Sequence, residues 1–129
     1  MSGEKKKILV VDDSAFQLSL TKTLLGNEYD VIIAQSGIDA LEKIRNGLFP
    51  DLILLDIIMP EMDGFQTYSK IRAISLIGDI PIIFVSSVTE AEEVEKATRL
   101  GAVDYVKKPL SKEALLDSVK NALNKNKEL

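Results

Sequence analysis

Four short, unbroken apolar runs recur along the chain: Ile8-Leu9-Val10-Val11, Val31-Ile32-Ile33-Ala34, Leu52-Ile53-Leu54-Leu55 and Ile82-Ile83-Phe84-Val85. A strand with one wet face alternates apolar and polar residues. These runs do not alternate, so each reads as a strand buried on both faces, the condition met in a parallel sheet covered by helices. A fifth, weaker run at residues 103–106 carries Asp104 and precedes two lysines, which suits an edge strand.

Between the runs lie segments with helical spacing and recognisable ends. Ser14 and Gln17 have the spacing of a capping box, Phe16, Leu20 and Leu24 form an expected inward stripe, and Gly26 follows as a stop. Ile38, Leu41, Ile44 and Leu48 make the second stripe, and Phe65, Tyr68, Ile71 and Ile74 the third. Thr89 with Glu92 is expected to cap a fourth helix, with Val94, Ala97 and Leu100 inward and Gly101 ending it. Ser111 opens the fifth, with Leu115, Val119 and Ala122 on one face. Strict alternation of five strands and five helices, with right-handed crossovers, predicts a doubly wound α/β fold with helices on both sheet faces.

Length bounds the answer to one domain, 1–129, with a core at about 6–123 and frayed polar ends. No internal repeat, linker or attached output domain is visible. Sixteen Lys and Arg against twenty Asp and Glu give a net charge of −4, opposite in sign to a nucleic-acid-binding footprint. Apolar stretches of only four or five residues are too short to cross a bilayer, and the Glu4-Lys5-Lys6-Lys7 start lacks a signal peptide's apolar stretch. The expected location is the cytoplasm.

The chain has no histidine and no cysteine. That excludes thiol nucleophiles, disulfides, Cys/His zinc sites, haem and iron–sulfur ligation, and Ser-His-Asp triads. What remains stands at the strand ends. Asp12-Asp13 follow the first run, Asp56 the third, Ser86-Ser87 the fourth, and Lys107-Lys108-Pro109 the fifth. In open α/β sheets, ligands bind outside the carboxyl ends of the strands, so these groups should converge on one cleft. Three clustered carboxylates repel unless a cation sits among them, and an oxygen-only donor set favours Mg2+ or Mn2+. With a lysine and a hydroxyl at the same rim, the set is suited to moving a phosphoryl group onto an aspartate.

From about Lys6 to Leu123 the sequence resembles the receiver domains of two-component response regulators. The resemblance rests on ILVVDDS (8–14), LILLDIIMPEMDG (52–64), IIFVSS (82–87), GAVDY (101–105) and KKP (107–109), a combination specific in its order and spacing. It implies a flavodoxin-like sheet of order 2-1-3-4-5. Carried over by position, it makes Asp56 the phosphoacceptor, with Asp12, Asp13 and the backbone carbonyl of Ile58 joining it as Mg2+ ligands. Ser86 would hydrogen-bond the phosphoryl group, Lys108 would pair with it, Tyr105 would be the aromatic switch, and the Lys108-Pro109 bond would be cis. The implied partners are a sensor histidine kinase or phosphotransfer protein and a downstream effector. The face of the fourth helix, fifth strand and fifth helix would engage that effector or a second copy. Ile58 and Val88 are apolar where the family often places polar groups near the attacking water, which implies slow self-dephosphorylation.

Plainer readings bound this one. Lys107 reads as an edge guard, Met59-Pro60 and Asp63-Gly64 as loop punctuation without chemistry, and the acids of residues 89–96 as a solvated helix face. A Mg2+-dependent hydrolase lacks a general acid two residues beyond Asp56, since Ile58 stands there. A passive module that kept the fold but lost the chemistry would lack one of the acids or the lysine; all are present.

Overall fold

The computed structural model describes residues 4–74, 77–87 and 90–128. Five strands, β1 (Lys7–Val11), β2 (Asp30–Ala34), β3 (Leu52–Asp56), β4 (Ile82–Ser86) and β5 (Asp104–Lys107), form one parallel sheet of order β2-β1-β3-β4-β5. The helices α1 (Ala15–Leu25), α2 (Gly37–Arg45), α3 (Gly64–Arg72), α4 (Ala91–Leu100) and α5 (Lys112–Glu128) alternate with them. β3 and β4 are buried throughout, as their unbroken apolar runs require.

The two-residue strand period divides the core. Leu9, Val11, Ile53, Leu55, Ile82 and Phe84 face α2, α3 and α4, whereas Ile8, Val10, Leu52, Leu54, Ile83 and Val85 face α1 and α5. Full burial of such side chains contributes roughly 1.5–3 kcal/mol each, which makes the sheet the rigid part of the molecule. Around the fully buried Phe84 ring, Phe65 approaches edge-on at 5.2 Å and Tyr68 stacks at 5.6 Å. The Tyr68 hydroxyl then donates to the Leu100 carbonyl at 2.8 Å, fixing the far end of α4. Gly101 closes that helix at φ 103°, a left-handed position that glycine adopts without a Cβ penalty.

Several helix faces differ from the sequence expectation. Phe16 is 71% exposed, and α1 instead buries Leu18, Thr21 and Leu25. Thr21 tolerates burial because its hydroxyl donates to the Gln17 carbonyl at 2.8 Å. The capping box at Ser14 is only half made. Its hydroxyl accepts from the Gln17 amide, but its own amide already donates to Asp12 Oδ1 at 3.0 Å and is taken. Ile38 is exposed, because Ser36 caps α2 and the buried face runs through Gly37, Ala40, Leu41 and Ile44. In α4 only Ala97 is fully buried, with Val94 and Leu100 half-buried. The Thr89 cap lies outside the described residues, and Glu90 stands at the N-cap without a side-chain hydrogen bond. Ser111 accepts from the Ala114 amide at the head of α5, as its spacing predicts.

Candidate functional site

Each strand delivers its last residue to the same edge of the sheet. β1 ends at Val11, and the Asp12 amide continues the ladder by donating to the Ala34 carbonyl at 3.1 Å. Asp56 is itself the last residue of β3, in register with Val85. Ser86, last in β4, is in register with Lys107, and the Lys108 amide donates to the Ser86 carbonyl at 2.9 Å. The Lys108-Pro109 peptide is cis.

These ends bring Asp12, Asp13 and Asp56 together with one carboxylate oxygen of each within 4.8 Å of the others. Asp12 and Asp56 are each 5% exposed, while Asp13 is open to solvent. Lys108 Nζ lies 2.8 Å from Asp12 Oδ2 and 3.5 Å from Asp56 Oδ2. Lys107 points to solvent instead. Burial first, and then the charge of Asp12, push the Asp56 carboxyl up to about 6; Lys108 acts against them, Asp13 adds to the rise, and the Ile57 amide hydrogen bond lowers it slightly.

Three carboxylates and one ammonium leave a formal charge of −2, with Asp12 and Asp56 buried and Asp13 at the solvent. That remainder, an all-oxygen donor set and one solvent-facing acid fit a divalent cation that keeps some of its waters. Ile58, whose carbonyl the family resemblance would add to the donor set, lies just beyond β3 and is 61% exposed.

Ser86 is fully buried and Ser87 exposed. Ser86 hydrogen-bonds the half-buried Tyr105 side chain. Burial raises the Tyr105 phenol, the bond to Ser86 opposes this, and the charges of Glu93, Glu90 and Asp56 add to the rise. Asp12, Asp13, Asp56 and Lys108 thus form one cluster, and Ser86, paired with Tyr105, adjoins it through the backbone bond from Lys108. The sequence reading gave no contact to Gly64, whose amide donates to the Ile57 carbonyl at 2.7 Å.

Residues 8–120 match the response regulator receiver domain family. The chain belongs to that family. The receiver domain is 39% identical over 124 residues to the transcriptional regulatory protein ZraR of Klebsiella oxytoca, covering 95% of this chain and 27% of that protein. It is 33% identical over 119 residues to the chemotaxis protein CheY of Halobacterium salinarum, covering 92% of this chain and 97% of that one. Among solved structures, the CheY-like receiver domain protein of Methanospirillum hungatei superposes with a TM-score of 0.86 at 32% identity, covering 97% of this chain and 98% of that one. The receiver domain thus spans about a quarter of the ZraR regulator it matches and nearly all of the chemotaxis protein. It is a signalling domain of the phosphorylation-dependent two-component type. Among the described residues, no helix is long and apolar enough to cross a membrane.

Proposed function

We propose that residues 1–129 act as one cytoplasmic receiver domain in which Asp56 accepts a phosphoryl group from a phosphohistidine on a sensor kinase or phosphotransfer protein. The observation that carries this is the burial of Asp56 between a lysine and two further acids at the head of β3. An Asp56 carboxylate oxygen attacks phosphorus in line, the P–N bond to the donor imidazole breaks, and the imidazole leaves with that electron pair. The chain contains no histidine, so the donor is another molecule or a domain outside these residues.

Asp12, Asp13, Asp56 and the Ile58 carbonyl would hold Mg2+, or Mn2+ on the same donors, and the bound ion would offset charge on the transferring group. Lys108 is already aimed between Asp12 and Asp56 and pairs with the phosphoryl oxygens. Ser86 turns its hydroxyl to the new acceptor oxygens, which breaks its bond to Tyr105 and frees that ring to move. The shift biases the face of α4, β5 and α5, which a downstream effector or a second copy of the chain engages.

Mass spectrometry after incubation with acetyl phosphate and Mg2+ tests the reading. The expected result is a phosphoryl adduct on the wild type and none on Asp56→Asn. Sustained phosphate release from many organic esters would identify a hydrolase instead, and no adduct with any donor a passive module.

A second expectation concerns persistence. The Ile58 side chain offers no polar atom to an incoming water, while Val88, the other apolar position, lies outside the described residues. The phosphorylated form should last minutes or longer, and Ile58→Asn should shorten its lifetime several-fold when followed by phosphate-affinity electrophoresis. Decay within seconds, unchanged by the substitution, would count against this.

A further inference from the structure

The chain returns to the end of β3 eight residues after Asp56, at Gly64. The intervening loop turns at Glu61, whose φ is 68°, and ends in a complete capping box at the head of α3. There the Asp63 amide donates to Gln66 Oε1 at 3.0 Å and the Gln66 amide donates back to Asp63 Oδ1 at 2.8 Å. The Thr67 hydroxyl adds a third tie, donating to the Asp63 carbonyl at 2.8 Å. The first turn of α3 is therefore held firmly in place, with Gly64 buried at its start.

What Gly64 touches is the backbone of the acceptor itself. A Cβ at this position would lie 2.2 Å from the Asp56 carbonyl oxygen, 2.9 Å from the Asp56 carbonyl carbon and 2.7 Å from the Ile57 Cα. None of these atoms is the end of a flexible side chain that could swing aside. The opposite end of the same peptide is the Ile57 amide, which lies on the Asp56 carboxylate side and helps to hold its pKa down. A peptide is a rigid plane, so turning its carbonyl away from an intruding Cβ turns its N–H away from the carboxylate.

We infer that Gly64 is a positioning residue for the phosphoacceptor: its bare Cα lets α3 brace the Asp56–Ile57 peptide in the orientation that aims the Ile57 amide at the carboxylate. The inference rests on Asp56 being the acceptor. It also gives Asp63-Gly64, read from sequence as loop punctuation, a part in the chemistry.

The test compares wild type, Gly64→Ala and Gly26→Ala in the full chain, with acetyl phosphate and Mg2+. Rates are taken per folded molecule, with the folded fraction from circular dichroism. Gly26→Ala is the structural control: its Cβ would meet the Lys22 carbonyl oxygen at 2.7 Å, crowding the last turn of α1 and neither α3 nor the end of β3. For Gly64→Ala the maximal phosphorylation rate should fall about tenfold or more, with half-saturating acetyl phosphate within about twofold of wild type. Its Ile57 amide proton should move upfield. Gly26→Ala should lose stability but keep both the rate and the amide shift.

A Gly64→Ala protein as fast as wild type overturns the inference, as does a Gly26→Ala protein slowed equally. A wild type that takes no phosphoryl group at Asp56 overturns the reading beneath it. If Gly64→Ala does not fold, amide exchange in the wild type decides. Ile57 and Gly64 amides protected like those of β3 support the brace, and exchange at loop rates removes it.

Discussion

Lys108→Ala slows phosphorylation by acetyl phosphate about a hundredfold and lowers the melting temperature of the metal-free protein by roughly 10 °C at pH 8. The lysine side chain is 14% exposed and those of Asp12 and Asp56 are 7% exposed, so this is a buried cluster. Removing one partner from such a cluster costs about 3–5 kcal/mol, because the charges left behind can be neither solvated nor paired. Asp12 loses a 2.8 Å hydrogen bond, and Asp56 loses the cation that holds its carboxyl down against burial and its acidic neighbours. The damage is therefore larger at pH 8, where Asp56 must stay ionised, than at pH 5, where protonation relieves it. The rate loss has a separate origin, since in the proposed reaction Lys108, 3.5 Å from Asp56, would pair with the phosphoryl oxygens. Calorimetry in EDTA at the two pH values and a rate assay with Mg2+ check the two halves independently. A melting temperature that falls equally at both would mean Lys108 acts by packing alone.

The sheet was legible from sequence because a parallel strand is coded almost entirely by its own residues. β3 and β4 ran one residue beyond their apolar runs, taking in Asp56 and Ser86, because pairing with the neighbouring strand continues to the cleft. That extension makes the site rigid: the acceptor and the hydroxyl belong to strands, not to loops. Strand order was less legible. Spacing dictates alternation and handedness, but the 2-1-3-4-5 arrangement came from family resemblance and was then found in the structure.

Helix faces were harder to read. In α1 two stripes compete, Phe16-Leu20-Leu24 and Leu18-Thr21-Leu25, and the one with more apolar side chains lost. Thr21 hides its polarity in a bond to its own helix, which a hydrophobic count cannot see. The side chains of the cleft could be identified one by one, but their partnerships could not. Lys108 lies closer to Asp12, 96 residues away, than to Asp56. The Gly64 contact was hidden for the same reason: Asp-Gly before an apolar stripe signals a turn, whereas the atoms that exclude a Cβ belong to a strand end eight residues earlier. Local patterns report what a segment can form, not what it will press against.

Asp56→Asn should make the metal-free protein more stable at pH 8, and the gain should vanish toward pH 4. Burial, with the charge of Asp12 next, raises the Asp56 carboxyl from the ordinary 3.8 to about 6. Between those values the folded protein keeps a proton that the unfolded chain has released, so stability falls as pH rises through this window. Below about 3.8 both states are protonated and the penalty is absent; above about 6 both are ionised and it is complete. A rise of this size corresponds to on the order of 2–3 kcal/mol, or a melting temperature higher by several degrees in the variant at pH 8. Carboxylates remote from the cleft are common to both proteins and cancel in the difference. Mg2+ supplies the second observable, since a ligand that binds only the folded state stabilises it by mass action. Excess Mg2+ should raise the wild-type melting temperature more than that of Asp56→Asn, which has lost one anionic donor, and so narrow the gap. Melting curves at pH 4, 6 and 8, in EDTA and then in Mg2+, read both effects. A difference that ignores pH, or an equal response of the two proteins to Mg2+, would show that the strained carboxylate at the head of β3 is not where the ion's charge is needed.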